Sequence, residues 1–205
     1  MPGNALRYLT SLCAALLLGG CMALNTPEEA STFWELRMNN PPAANSPAAA
    51  GGLIVARVRA EANLDTTAML YREADYEPRY YARSRWIDRP TRQLQTALID
   101  GLEAAGTADV ILRAPTQLSA RYRLETELLA LEHDYRGNTP HAVLRLRVQV
   151  LDQDQRSVLA SRVISLREPM TASGPGAGVE AGNRALDEAI ERIRTVIVQA
   201  LADAE

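Results

Sequence analysis

No lysine occurs in this chain: all 22 of its cationic side chains are arginine. A coding bias toward GC-rich codons explains that better than a demand for guanidinium groups, although each arginine remains capable of bidentate pairing. Histidine is almost as scarce. Only His133 and His141 occur; they have no ligand pair at helical spacing, and strand neighbours such as Glu132 and Asp134 project to opposite faces. The local pattern gives no support to a metal site, and both histidines are expected at the solvated edges of the loop 135–140. A G-x-S-x-G elbow is missing too, so no serine nucleophile is visible. In "GPGAGVEAG" the residues Gly176, Gly178 and Ala181 have G-x-G-x-x-A spacing, but the Lys-Ser/Thr of a Walker loop and a preceding parallel βαβ strand are lacking. A flexible connection is the predicted role. Positive charge is not in excess either: the formal net charge is −3, which argues against a surface that attracts phosphate backbones.

The N-terminus supplies what these absences leave open. "MPGNALRYLTSLCAALLLGG" has a polar start with one cation, Arg7, an apolar run from Leu9 to Leu18, and small residues after it. This is the plan of a secretory signal, and the run is too short to span a bilayer. Leu18-Gly19-Gly20-Cys21 matches the bacterial lipobox, so residues 1–20 are predicted to be cleaved. Cys21 would then carry a diacylglycerol and an N-acyl chain, more than the single chain that gives only marginal membrane binding. Met22, in place of the aspartate associated with inner-membrane retention, favours an outer-membrane anchor facing the periplasm. With Cys13 removed and Cys21 lipidated, no thiol remains for a disulfide, a cysteine-metal site or a cysteine nucleophile. No other cofactor is expected.

Residues 21–52 read as a lipidated N-terminus holding a first strand at 32–37, "TFWELR", and a Pro/Ala-rich tether, "NNPPAANSPAAAGG", at 39–52. The folded periplasmic domain is predicted over 53–205. "LIVARVRA", "AMLYREA" and "EPRYYARSRW" read as strands. Leu94, Ala97, Leu98, Leu102 and Ala105 then repeat at helical steps, with Asp88 and Pro90 before them and Gly106 after. "ADVILR" is a short apolar strand. "RYRLETELLALEH" alternates through Tyr122, Leu124, Thr126, Leu128 and Ala130, yet Leu124, Leu128 and Leu131 also fit a helix. Leu144, Leu146, Val148 and Val150 alternate cleanly with Arg145, Arg147 and Gln149, and "RSVLASRVISLRE" follows a short turn. A flexible loop "MTASGPGAG" leads to a helix striped by Leu186, Ile190, Ile193, Ile197 and Leu201. The expected fold is α/β of the α+β kind: one mixed, largely antiparallel sheet with two long helices on one face.

"YREADYEPRYYARSRW", residues 71–86, interleaves tyrosine and arginine in the manner of a single-strand nucleic-acid grip. An exported acidic chain makes nucleic acid the wrong partner. Tyr80 and Tyr81 would project to opposite faces of a strand, so they cannot both be core or both be surface. Trp86 and one tyrosine are expected to pack, leaving the other, beside Arg79 or Arg83, for a partner.

From "LYRE" through "YYARSRWIDRPTRQLQTALIDGLEAAG", "ADVILR", "RYRLETELLALEHDY", "AVLRLRVQVLD" and "AGNRALDEAIERI", the chain resembles the auxiliary lipoproteins of ABC-type lipid transport systems, the PqiC-like family. The resemblance runs in order from Phe33 to Leu201. Where that family starts with Tyr-x-Leu, this chain has Phe33-Trp34-Glu35-Leu36. The resemblance implies a non-enzymatic partner of MCE-domain proteins, which form hydrophobic conduits across the periplasm linked to an inner-membrane transporter. Its implied job is to dock the distal end of the conduit so that phospholipid or another hydrophobic molecule moves between membranes. Self-association into a ring would suit a tube-shaped partner. An alternative is a carrier lipoprotein with its own lipid cavity between sheet and helices; a periplasmic hydrolase is a third reading, disfavoured by the lack of nucleophiles.

Overall fold

A computed structural model describes residues 30–41 and 49–204. The predicted signal peptide, Cys21 and the middle of the Pro/Ala-rich stretch lie outside the described residues. Ser31–Glu205 form one compact unit.

Among the described residues, nine strands and two helices are organised about one long strand, β7 (Tyr122–Asp134). In chain order they are β1 (Thr32–Trp34), β2 (Ala49–Val55), β3 (Arg59–Ala60), β4 (Ala68–Ala74), β5 (Glu77–Trp86), α1 (Pro90–Ala104), β6 (Ala108–Arg113), β7 (Tyr122–Asp134), β8 (His141–Asp152), β9 (Ser157–Pro169) and α2 (Pro175–Ala202). β7 is the spine. One edge pairs antiparallel with β8 along its whole length, and β8 pairs antiparallel with β9. The other edge carries β2, β3 and β4 in succession, each parallel, at Tyr122–Leu124, Glu127–Leu128 and His133–Asp134. β6 flanks β2, β5 flanks β4 as an antiparallel hairpin, and β1 closes the far edge parallel to β5. The sheet is thus mixed, with its long ladders antiparallel.

Both helices bury their apolar stripes against the same sheet face. Leu94, Leu98 and Leu102 of α1 and Leu186, Ile190, Ile193 and Ile197 of α2 share one core with Leu124, Leu128, Leu144, Leu146, Val148 and Val150 of β7 and β8. Each such side chain contributes roughly 1.5–3 kcal/mol by leaving water. Helix α1 starts with Pro90 in its first turn, where the missing N–H costs nothing. It ends in a Schellman motif: Gly106, at φ 59°, donates its N–H to the Glu103 carbonyl, and Thr107 donates to that of Leu102.

Several boundaries differ from the sequence expectation, each for an identifiable reason. The Tyr122–Asp134 stretch is a strand, and a register shift between Leu128 and Ala130 explains its helix-like spacing. Past that bulge the parity inverts, so Leu131 and His133 turn inward and Ala130 leaves the buried face. "LIVARVRA" is interrupted at 56–58 and forms parts of β2 and β3, with β2 reaching back to Ala49. The first strand is shorter than 32–37, ending at Trp34.

The folded unit also begins earlier than residue 53. After β1, the chain crosses the two helices as a strap held by their side chains. Leu36 donates its N–H to Gln93 Oε1 at 2.7 Å, Arg37 to Asn183 Oδ1 at 3.1 Å and Asn39 to Asp187 Oδ1 at 2.9 Å. Leu36 is buried in the core, and Met38 lies over Gly101. Residues 39–41, assigned from sequence to a tether, are therefore joined to the domain through Asn39 and Asn40.

The glycine-rich stretch is a further correction. Its residues from Pro175 onward are helical rather than a flexible connection. Close approach explains the glycines: a Cβ on Gly176 would lie 2.9 Å from the Trp34 ring, and one on Gly178 only 2.1 Å from Cε1 of His133.

Candidate docking site at an exposed hairpin

β4 and β5 form a hairpin whose turn is Asp75–Tyr76. Tyr76 adopts φ 66°, in the left-handed region, and is 97% exposed. Hairpin turns usually give such a position to Gly or Asn, and a bulky residue there carries a backbone cost of about 1–2 kcal/mol. An aromatic ring held in solvent at that cost is a candidate for recognition. In the sequence Asp75 and Tyr76 lie between the strands "AMLYREA" and "EPRYYARSRW", and nothing local distinguishes the tyrosine.

The four residues chosen from sequence fall into two groups. Tyr80, opposite Leu70 on β4, is 46% exposed. Arg79 lies next to it, exposed, with its guanidinium held by Glu77 at 3.3 Å and Glu73 at 2.7 Å, which in that order raise its pKa. Arg83 is exposed farther along β5. Tyr81 is half-buried on the other side of the strand. Trp86 is buried at the base of the hairpin, in the main core.

Tyr81 belongs to a chain of polar contacts that fixes the hairpin to the body. Its hydroxyl lies 2.6 Å from the Tyr135 hydroxyl and 3.0 Å from Nδ1 of His133. Gly174, just before α2, donates its N–H to Tyr135 Oη at 3.1 Å. Burial pushes the His133 imidazole down to about 4, so the ring is neutral and its tautomer sets whether Nδ1 donates or accepts. With the His133 proton on Nε2, the contacts run from Gly174 N–H to Tyr135, from Tyr135 O–H to Tyr81, and from Tyr81 O–H to Nδ1 of His133. Burial, followed by the bond to Tyr135, pushes the Tyr81 phenol up, keeping that proton in place. Tyr71 completes the cluster, its ring 4.6 Å from that of Tyr81 and 6.1 Å from that of Tyr135. His133 is therefore a buried structural residue and not a solvated loop-edge one, because the β7 bulge turns it toward the helices. His141 lies at the start of β8, with Nδ1 2.7 Å from the Thr139 carbonyl oxygen.

Charged groups brace the flanks. The buried carboxylate of Asp134 accepts from Arg136 Nε and Nη2, both at 2.8 Å, and from Arg167 Nη1 at 2.6 Å. These bonds, led by those of Arg136, hold the Asp134 carboxyl well below the usual carboxylate range. Arg136 also reaches Asp75 in the hairpin turn at 2.6 Å, and Arg72 pairs with Glu132 at 2.7 Å. The result is a rigid root carrying an exposed aromatic tip.

A family model described as "ABC-type transport auxiliary lipoprotein component" matches residues 35–194. The chain belongs to that family. The match spans β4, β5, the whole spine, α1 and most of α2, so the hairpin and its polar root lie within the family's domain. Members are auxiliary transport components, not enzymes. The fold is similar to that of protein XCC0632 from Xanthomonas campestris, at a TM-score of 0.76 and 21% identity, covering 85% of this chain and 100% of that one. A second crystal structure, of an uncharacterized protein, is similar at a TM-score of 0.64 and 16% identity, over 82% of this chain and 98% of the other. No curated protein matches the chain. Among the described residues, no helix of this auxiliary lipoprotein is long and apolar enough to cross a membrane.

Proposed function

We propose that this auxiliary lipoprotein is held in the outer membrane by diacylglycerol and an N-acyl chain on Cys21, faces the periplasm, and docks the distal end of an MCE-domain conduit through the β4–β5 hairpin. The conduit would carry phospholipid or another hydrophobic molecule between the membranes and so sustain envelope integrity. The observation that carries the docking reading is Tyr76, 97% exposed at positive φ on a hairpin whose root is fixed by the Tyr81–Tyr135–His133 contacts. Tyr80 and Arg79 extend the same surface; Arg83 lies farther along β5, and Tyr81 acts by holding the hairpin in place.

The carrier alternative is weaker on packing grounds. The space between sheet and helices, where a carried lipid would lie, is filled by Leu94, Leu98, Leu102, Leu186 and Ile190, all fully buried. The surface clefts beside α1, of about 330 and 610 Å³, are lined in part by Asp88, Arg92 and other polar groups. Those linings do not suit acyl chains.

A photo-cross-linking residue at Tyr76 or Tyr80, incorporated in cells, tests the docking surface. Adducts with an MCE-domain protein, obtained from these positions and not from Val110 on β6, are the expected result. Adducts only with unrelated proteins, together with a deletion strain of normal lipid asymmetry, would refute the reading.

A further inference from the structure

We infer that the β1–β5 edge is a membrane-contact surface, seated on the bilayer that holds the protein's own acyl chains; the inference rests on the acylation of Cys21 proposed above. Phe33 of β1 is 60% exposed and lies in register with Arg85 of β5. Ile87, one position beyond β5, is 63% exposed. The ladder continues to Ile87, whose N–H donates to the Trp34 carbonyl at 2.8 Å. Strand alternation sends Trp34 and Trp86 to the helix side, so Phe33 and Arg85, with Ile87 two positions on, share the opposite side. Two large apolar side chains thus flank one arginine on an outer strand edge. Among the described residues Arg85 has no ion-pair partner, unlike Arg79 or Arg89.

Chain length brings this patch to the bilayer. Eleven residue steps separate Cys21 from Thr32, and fully extended they reach at most about 40 Å. A domain of this size is itself on the order of 40 Å across. The start of β1 therefore stays within about one domain diameter of the bilayer.

The occupant follows from the chemistry. Phe33 and Ile87 match the boundary between headgroups and acyl chains, and Arg85 can keep its guanidinium among phosphates while its stem follows the apolar pair. Glu35 on the strap and Asp88 after Ile87 are acidic neighbours, the latter paired with Arg92 at 3.6 Å. Contact is therefore led by the apolar pair, with little dependence on the anionic lipid fraction. A protein partner would be expected to bury this edge away from lipid instead.

The test uses the acylated protein purified from membranes and reconstituted in vesicles of phosphatidylethanolamine and phosphatidylglycerol with brominated acyl chains. Phe33→Trp is compared with Val163→Trp, the latter on β9, where Val163 is 52% exposed. The signal of the partly buried Trp34 and the buried Trp86 is subtracted using the unsubstituted protein. The expected result is at least twofold stronger quenching for Phe33→Trp, with a blue-shifted emission, changing little when phosphatidylglycerol is lowered. Equal quenching at both sites, or none at Phe33→Trp while the protein floats with the vesicles, overturns the inference. Failure to float refutes the acylation reading itself and this inference with it.

Discussion

Gly178→Ala should destabilise the domain even though it places a better helix former inside α2. Alanine gains about 0.8–1 kcal/mol over glycine in a helix interior. At this position, however, the added methyl would lie 2.1–2.4 Å from three atoms of the His133 ring. The imidazole cannot move aside freely, since it is buried and its Nδ1 is bonded to Tyr81 at 3.0 Å. Overpacking of this kind costs about 1–3 kcal/mol, and loss of the Tyr81 bond adds about 1 kcal/mol. The net loss should be about 1–3 kcal/mol, or roughly 2–4 °C in Tm per kcal/mol for a domain of this size. Gly182→Ala is the internal control, because no atom lies within 4 Å of its added methyl; it should gain up to about 1 kcal/mol. Urea unfolding followed by Trp fluorescence measures both. In a His133→Ala background the 178 methyl has room, so Gly178→Ala should turn neutral or stabilising, a coupling of at least about 1 kcal/mol. A Gly178→Ala protein as stable as Gly182→Ala would refute the close-approach reading of the glycine-rich helix start.

Other expectations test the polar root and the tip. His133 is neutral in the fold, with its pKa lowered to about 4, so stability is complete above the unfolded value of about 6.5 and is lost as pH falls toward 4. Between pH 7 and pH 5 this group alone should remove about 2 kcal/mol, and His133→Gln should show a flatter dependence in that interval. Asp134 has a lowered pKa as well, so its contribution is present above the usual carboxylate value and falls away in more acidic solution, below about pH 4. Asp134→Asn should cost about 1–3 kcal/mol at pH 7 by weakening charge-assisted bonds, less than a fully buried pair would, because Arg136 and Arg167 stay partly solvated. Tyr76→Gly should raise stability by about 0.5–1 kcal/mol, since glycine accepts positive φ. The same variant should lose capture of the conduit protein in a pull-down; retained capture would remove Tyr76 from the docking surface.

The parts of the fold visible in the sequence were those set by local periodicity. The alternation of Leu144, Leu146, Val148 and Val150 and the stripe of α2 depend only on which side of an element meets the core, and both appear as expected. The spine strand was ambiguous because a single bulge converts a two-residue period into steps of four and three. The same bulge hid the burial of His133. The strap was invisible for a different reason: its backbone is bonded to side chains such as Asn183, 146 residues away, and nothing near Arg37 announces that. At the candidate site, alternation correctly required Tyr80 and Tyr81 to part, but only the turn geometry distinguishes Tyr76.

The two ends of β5 give the hairpin a mechanical meaning. Arg85, near the C-terminal end, lies in register with Phe33 at the edge inferred to touch the bilayer, while Glu77 at the other end adjoins Tyr76 at the tip. A strand of this length covers up to about 30 Å. The same strand would therefore rest its base on the membrane and hold its exposed tyrosine well away from the lipid surface. Between the ends, Tyr81 ties the strand to the start of α2 through Tyr135 and Gly174, and the strap ties β1 to both helices. Loosening these ties should disturb docking without disturbing anchoring. Tyr81→Phe removes only the hydroxyl that bridges His133 and Tyr135. Vesicle flotation should be unchanged in this variant, while cross-linking from Tyr76 falls; cross-linking at the unsubstituted level would mean that the tip is positioned by the β4–β5 ladder alone.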